Sequence, residues 1–208
     1  MRTIVKSDSP ACLSDAKRKG WSWDDFVEND RRGYQCCRQL ADSEQGGECA
    51  YTEMPLNNQQ AVIHLDHFRK KSIYPNLRFD WNNLFAAVKD HRFGADYKDN
   101  IVDGKNAGQI YCQVLSPLTS ELNAYFHYAT NGEIEPKSGL TEDDKNKAEK
   151  TIELFNLNEG ELVSRRRTMM AQISNYRDLP ESDIRDCFVG AGFSSVLDQE
   201  ISFISMFT

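Results

Sequence analysis

The chain has 208 residues, 39% hydrophobic and 27% charged, with a formal net charge of −7. That length makes one ordinary domain or two small ones, and the composition is globular, neither disordered nor fibrous. No apolar run reaches the roughly 18 residues of a membrane span, and MRTIVKSDSP lacks the apolar stretch of a secretory signal, so a cytoplasmic address is expected. The acidic balance argues against a chain that grips nucleic acid over its whole surface.

Residues 1–48 read as mainly helical. Ser14 is placed to cap a first short helix. A longer one is expected from about Glu28 to Ser43, with Tyr34, Cys37 and Leu40 on one face and Gly46-Gly47 as its stop. Residues 49–100 change character. CAYTEM and AVIHL are short and β-compatible, Asn57-Asn58 is a turn signal, and together they predict a hairpin. A polar, basic loop from Phe68 to Asp80 follows. Then WNNLFAAVKDH places Trp81, Leu84, Phe85 and Val88 at helical spacing, with Asp80 as N-cap. The predicted order is strand, strand, long loop, helix. Residues 101–208 return to helices, with GQIYCQVL as one further strand. Thr141 and Asp144 open a helix through Phe155, Asn158-Glu159-Gly160 turns into a second, and two short helices near 181–205 complete an α+β fold. The apolar ISFISMFT tail is expected to dock on the core or a partner.

Six cysteines without a CxxC pair read as free thiols and not as a zinc knuckle or a disulfide framework. Of the four histidines, His64, His67 and His91 fall within 28 residues, while His127 lies in an aromatic stripe and reads as packing. In HLDHF, adjacent Asp66 and His67 point to opposite faces of an extended chain. A carboxylate and an imidazole suit a hard or borderline divalent ion. Such an ion beside a neutral imidazole that activates water is a hydrolytic arrangement. Arg69, Lys70, Lys71 and Arg78 against the single acid Asp66 give residues 64–79 a local charge of +3, which suits a phosphate backbone.

These residues carry a resemblance. The predicted order of elements, with Asp66-His67 at the turn and Asn83 early in the helix, resembles the HNH (ββα-metal) nuclease motif. MR-x-I-x-K, EQGGECAY, HLDHFRKKS-x-YP-x-L-x-FDWNNLF and TIELFNLNEGELVSRR resemble, in the same order, the PtuB-like HNH subunit of Septu and retron-associated anti-phage systems. The resemblance implies three regions: an N-terminal helical segment 1–48, an HNH core 49–100 and a C-terminal mainly helical region 101–208. It implies His67 as general base, Asn83 as the brace that orients it, and Asp66 as ligand of one divalent metal ion, Mg²⁺ first, with Mn²⁺ or Zn²⁺ as alternatives. His91 is the candidate for the last ligand, with Asp90, Asp96 and Asp99 as substitutes and His64 in a secondary role. Many relatives carry CxYC and CxxCN. This chain has Cys49 and Thr52, then Val88 and His91, with Arg92 at the final Asn, so no structural zinc is expected. The implied activity is phosphodiester hydrolysis of DNA or RNA. The implied partners are a PtuA-like ATPase and, in a retron setting, a reverse transcriptase with its msDNA. No P-loop is present, so any ATP dependence must come from another chain. Two alternatives stay open: a catalytically weakened HNH-like scaffold, and a nucleic-acid-binding module that does not cut.

Overall fold

The computed structural model describes residues 1–57 and 62–206. Its N-terminal part is helical: α1 (Ala11–Arg18), α2 (Trp23–Asn29) and α3 (Arg31–Glu44). Ser14 lies inside α1, which Pro10 precedes, so it is not the cap. A reciprocal capping box of Ser22 and Asp25 opens α2. Asp30 ends α2 in a non-helical conformation and caps α3, its carboxylate accepting from Gly33 N at 2.9 Å. That break is why the helix expected from Glu28 starts at Arg31. Gly46 and Gly47, both at positive φ, stop α3 as anticipated.

The centre of the chain departs from the predicted order. CAYTEM is a set of turns with one isolated bridge, Glu48 to Pro55, and Asn58 and Ala61 of the expected hairpin lie outside the described residues. Strand β1 (Ile63–His67) pairs antiparallel with β2 (Leu84–Val88), running from Ile63 opposite Val88 to His67 opposite Leu84. Helical spacing predicts a helix for the residues of β2, and they form a strand. All five are buried, and a strand apolar on both faces shows no alternation to set it apart from a helix. The helix comes one element later, α4 (Gly94–Ile101), so the order is strand, long loop, strand, helix. The outer edge of β2 is closed by a side chain: Gln45 donates from Nε2 to Ala86 O and accepts from Ala86 N, both at 2.8 Å.

Beyond it lie α5 (Ala107–Gln113), a small hairpin of β3 (Phe126–Tyr128) and β4 (Ile134–Pro136), then α6 (Glu142–Phe155), α7 (Gly160–Ser174), α8 (Glu181–Cys187) and α9 (Ser194–Ser205). The strand expected in GQIYCQVL is α5, because Ala107, Ile110, Tyr111 and Val114 fall at helical spacing. The turn of the small hairpin requires Gly132: a Cβ there would meet Val163 O at 2.2 Å. Thr141 caps α6, accepting from Asp144 N. In the C-terminal stretch Ile201 is buried, Phe203 and Met206 are exposed, and Phe207 and Thr208 lie outside the described residues. No helix among the described residues is long and apolar enough to cross a membrane.

The core joins the three stretches of sequence. Tyr51 stacks on Phe155 of α6 at 4.4 Å, and Phe68 packs against Phe85 and Phe155. Lys6 pairs with Glu44 at 3.0 Å and lies 3.8 Å from the Trp81 ring. Ser195 donates to Glu53 at 2.5 Å, tying α9 to the turns before β1.

Candidate active site at the end of strand β1

Asp66 and His67 are the last two residues of β1, and the strand sends their side chains to opposite faces. Each is almost entirely buried, 5% and 6% exposed. On one face, Asp66 Oδ2 accepts from the Tyr51 hydroxyl at 2.5 Å and from Lys98 Nζ at 2.9 Å. Lys98 comes from α4 and is wholly enclosed. Its ammonium also donates to His67 O at 2.6 Å and Phe68 O at 3.2 Å, and lies 3.1 Å from Asp99 Oδ1. Burial alone would push the Asp66 carboxyl up, but the Lys98 ammonium and the Tyr51 hydroxyl outweigh it and hold the group below its ordinary value. Burial alone would lower Lys98, and the carboxylates of Asp66 and Asp99 outweigh it in turn. Both groups therefore stay charged at neutral pH.

The other face is built from rings. Trp23 of α2 meets the His67 imidazole edge-on at 4.5 Å and packs on Phe79 at 5.9 Å. His67 Nε2 lies 3.0 Å from the Arg78 carbonyl oxygen. A carbonyl only accepts, so Nε2 carries the proton and Nδ1 keeps the lone pair. Burial pulls the imidazole down to about 4, against a smaller opposing pull from that carbonyl, so it is neutral at pH 7.

Asn83 braces the chain just beyond His67. Its Oδ1 accepts from Arg69 N at 2.7 Å, and its Nδ2 donates to Arg69 O at 3.0 Å and Leu77 O at 3.3 Å. Phe68 N donates to Asn83 O at 2.9 Å, continuing the pairing past the strand end. The 3₁₀ turn Trp81–Asn83, capped by Asp80, delivers the asparagine to this position.

The other sequence-predicted residues divide. His91 is exposed in the turn after β2, at the end of the hairpin where Ile63 pairs with Val88, while Asp66 pairs with Phe85 further along. The structure does not bring Asp66 and His91 together. A three-residue rise along a strand, roughly 10 Å, keeps them at different levels. Of the substitutes, Asp90 is held by Arg92, Asp99 by Lys98, and Asp96 Oδ1 lies 3.9 Å from His64 Nε2, whose Nδ1 is buried without a partner. Among the described residues no three His, Cys, Asp or Glu side chains gather as metal ligands would. The expected ion-holding pair does not fit such an ion here, and the cation beside Asp66 is the chain's own ammonium.

The four basic loop residues also differ in what they can offer a phosphate. Lys70 Nζ donates to the carbonyls of Asp99 (2.6 Å) and Val102 (3.2 Å), so it closes the end of α4. Lys71 pairs with Asp24 at 3.1 Å. Arg69 lies over Tyr74 and Tyr111, and Arg78 over Phe79, each partly exposed. Lys98, Tyr51 and Trp23 were not anticipated. Tyr51 ends the EQGGECAY block, a signal that was available. Lys98 in YKDN and Trp23 in SWDD carry no local mark of their place.

No protein-family model matches the chain. It is 25% identical over 183 residues, 83% of this chain and 84% of the other, to a Vibrio cholerae serotype O1 biovar El Tor protein named "Retron Vc95 putative HNH endonuclease". The likeness spans most of both chains and supports a relation to HNH endonucleases.

Proposed function

We propose that this protein is an HNH-type endonuclease that hydrolyses phosphodiester bonds of nucleic acid, with His67 as its general base. The observation that carries the reading is the imidazole at the end of β1: neutral at pH 7, held through Nε2–H by the Arg78 carbonyl, with the chain beyond it clamped by Asn83. A base needs a lone pair at working pH and a fixed orientation, and a positioned base contributes about 10²–10⁴-fold. In this reading Nδ1 takes the proton of a water whose oxygen bonds to phosphorus, the bond from phosphorus to the 3′ oxygen breaks, and that oxygen leaves as a hydroxyl with a proton from solvent. Arg69 and Arg78, stacked and partly exposed, hold the backbone. The resemblance brings a divalent ion, Mg²⁺ before Mn²⁺ or Zn²⁺. Among the described residues, the side chains around Asp66 do not assemble a site for it.

The biological setting is proposed on the same footing: an effector in anti-phage defence, working with a PtuA-like ATPase and, in a retron context, with a reverse transcriptase and its msDNA. A net charge of −7 favours a partner that supplies the grip on nucleic acid. The test incubates the protein, alone and with that ATPase and ATP, with plasmid and with tRNA in Mg²⁺, Mn²⁺, Zn²⁺ and EDTA. Cutting that falls at least 100-fold in a folded, assembled His67→Ala variant is the expected result. Equal cutting by that variant removes His67 from the role. A second reading, a weakened HNH-like scaffold, draws on the closure of Asp66 by Lys98 and the distance of His91. Intact assembly with no cutting under any of these conditions would select it.

A further inference from the structure

Lys98 has no part in the reaction as outlined, yet it is the most enclosed charged side chain around the site. An ammonium taken from water without partners is strongly unfavourable, and this one is surrounded by four oxygens. Two are carboxylate oxygens, of Asp66 and Asp99. The other two are the main-chain carbonyls of His67 and Phe68, at the point where the β1–β2 ladder stops and the chain turns into its long loop. The next carbonyl, of Arg69, is taken by Asn83 Nδ2. Three successive carbonyls are thus captured, two from the α4 side and one from the opposite wall. Phe68 N and Arg69 N are both captured by Asn83.

Resting on the nuclease reading, we propose that Lys98 is a positioning residue for His67, and that Asp66 serves to hold this lysine. Asp66 and the Tyr51 hydroxyl anchor the ammonium at one end, and Tyr51 is itself fixed by stacking on Phe155. The ammonium then sets the peptide planes on either side of Phe68. Those planes fix where the imidazole leaves the backbone and whether Nε2 meets the Arg78 carbonyl. The second cation of the loop, Lys70, clamps the far end of α4 to the same loop, so α4 is held at both the site and its own terminus.

The test compares Lys98→Met and the charge-neutral pair Asp66→Asn with Lys98→Met in the full chain. Two readouts separate positioning from simple support: the His67 tautomer by long-range ¹⁵N NMR, and kcat and KM for cleavage of plasmid or tRNA, whichever the wild type cuts. The wild type should show one Nε2–H tautomer. Both variants should show mixed tautomers and a kcat at least 10-fold lower, with KM within 2-fold. A folded double variant with the wild-type tautomer and kcat overturns the proposal, because Lys98 would then only neutralise Asp66. Loss of fold in both variants also overturns it, making the lysine a stability element. If the wild type cuts nothing, the nuclease reading falls, and the NMR readout still decides the positioning claim.

Discussion

The two faces of β1 bury neighbouring ionisable groups to nearly the same depth and reach opposite outcomes. Asp66 goes inside with a cation and the hydroxyl of a stacked tyrosine beside it, and remains charged. His67 goes inside among Trp23 and Phe79 with one carbonyl for company, and gives up its proton. Burial penalises charge in both cases; what differs is whether a counter-charge is buried too. For a site that needs a fixed backbone and a neutral base at pH 7, each outcome is the useful one.

Removing the counter-charge is the harshest way to break this contrast. Lys98→Met leaves the Asp66 carboxylate without its counter-charge, with only the Tyr51 hydroxyl to donate to it, and takes the Lys98 donor from the carbonyls of His67 and Phe68 in a dry interior. Breaking a buried pair from one side costs about 3–5 kcal/mol, whereas removing both charges together costs much less. Urea unfolding should therefore rank the wild type first, Asp66→Asn with Lys98→Met second, and Lys98→Met a distant third. A single variant as stable as the double one would mean that Asp66 finds water or another cation.

The neutral face makes its own prediction, through pH. His67 sits at about 4 in the fold against an ordinary 6.5, so the unfolded chain binds its proton more readily. Stability from this group is whole above pH 6.5 and drains away as pH falls toward 4, by roughly 3 kcal/mol. Glu48 runs the other way. Burial first, and the neighbouring Glu53 next, push its carboxyl up to about 7, so its contribution is whole below pH 4.5 and is lost as pH rises through 7. The two slopes oppose each other between pH 4.5 and 6.5. Urea melts of wild type and His67→Gln across pH 4–7 isolate the first, and Glu48→Gln should steepen the acid loss by exposing it. Parallel wild-type and His67→Gln curves would show that the imidazole is not buried neutral.

The contrast also explains what could be read from the sequence. Asp66 and His67 are adjacent, and their opposite faces follow from an extended backbone alone. Thr141 and Asp144 needed only three residues of spacing to place the start of α6. Pairing of Leu84–Val88 with β1 depends on closing a loop from Phe68 to Asn83, and a strand buried on both faces carries helical spacing as comfortably as any other. His91 was drawn toward Asp66 by that misplaced helix; once those residues form β2, it falls at the wrong end of the hairpin. Lys98 goes unmarked, because nothing near it in sequence says which carboxylate it will meet. The basic loop misled for a related reason: charge is visible in sequence, but Lys70 is already committed to the carbonyls at the end of α4.

Smaller changes sharpen the two faces separately. Asn83→Ala deletes the amide that satisfies both main-chain polar groups of Arg69, and groups left without partners make this a loss of about 2 kcal/mol. Hydrogen exchange at the Arg69 amide should accelerate with it; unchanged exchange would mean that the loop is held by the Lys98 side alone.

Trp23→Phe is the mildest and the most specific. A phenyl ring still fills most of the space beside His67 and Phe79, so the stability loss should be about 1 kcal/mol. The smaller ring uncovers one edge of the imidazole, and water there lessens the penalty on its charged form. The value of His67 should climb from about 4 toward 6.5, followed by its ring carbon shift in an NMR pH titration. Asp66 should be indifferent, since its charge is settled on the other side of the strand by Lys98. If His67 stays near 4, the Arg78 carbonyl pocket and not α2 keeps it dry; if Asp66 moves with it, the two faces are not independent and β1 transmits what happens on one to the other.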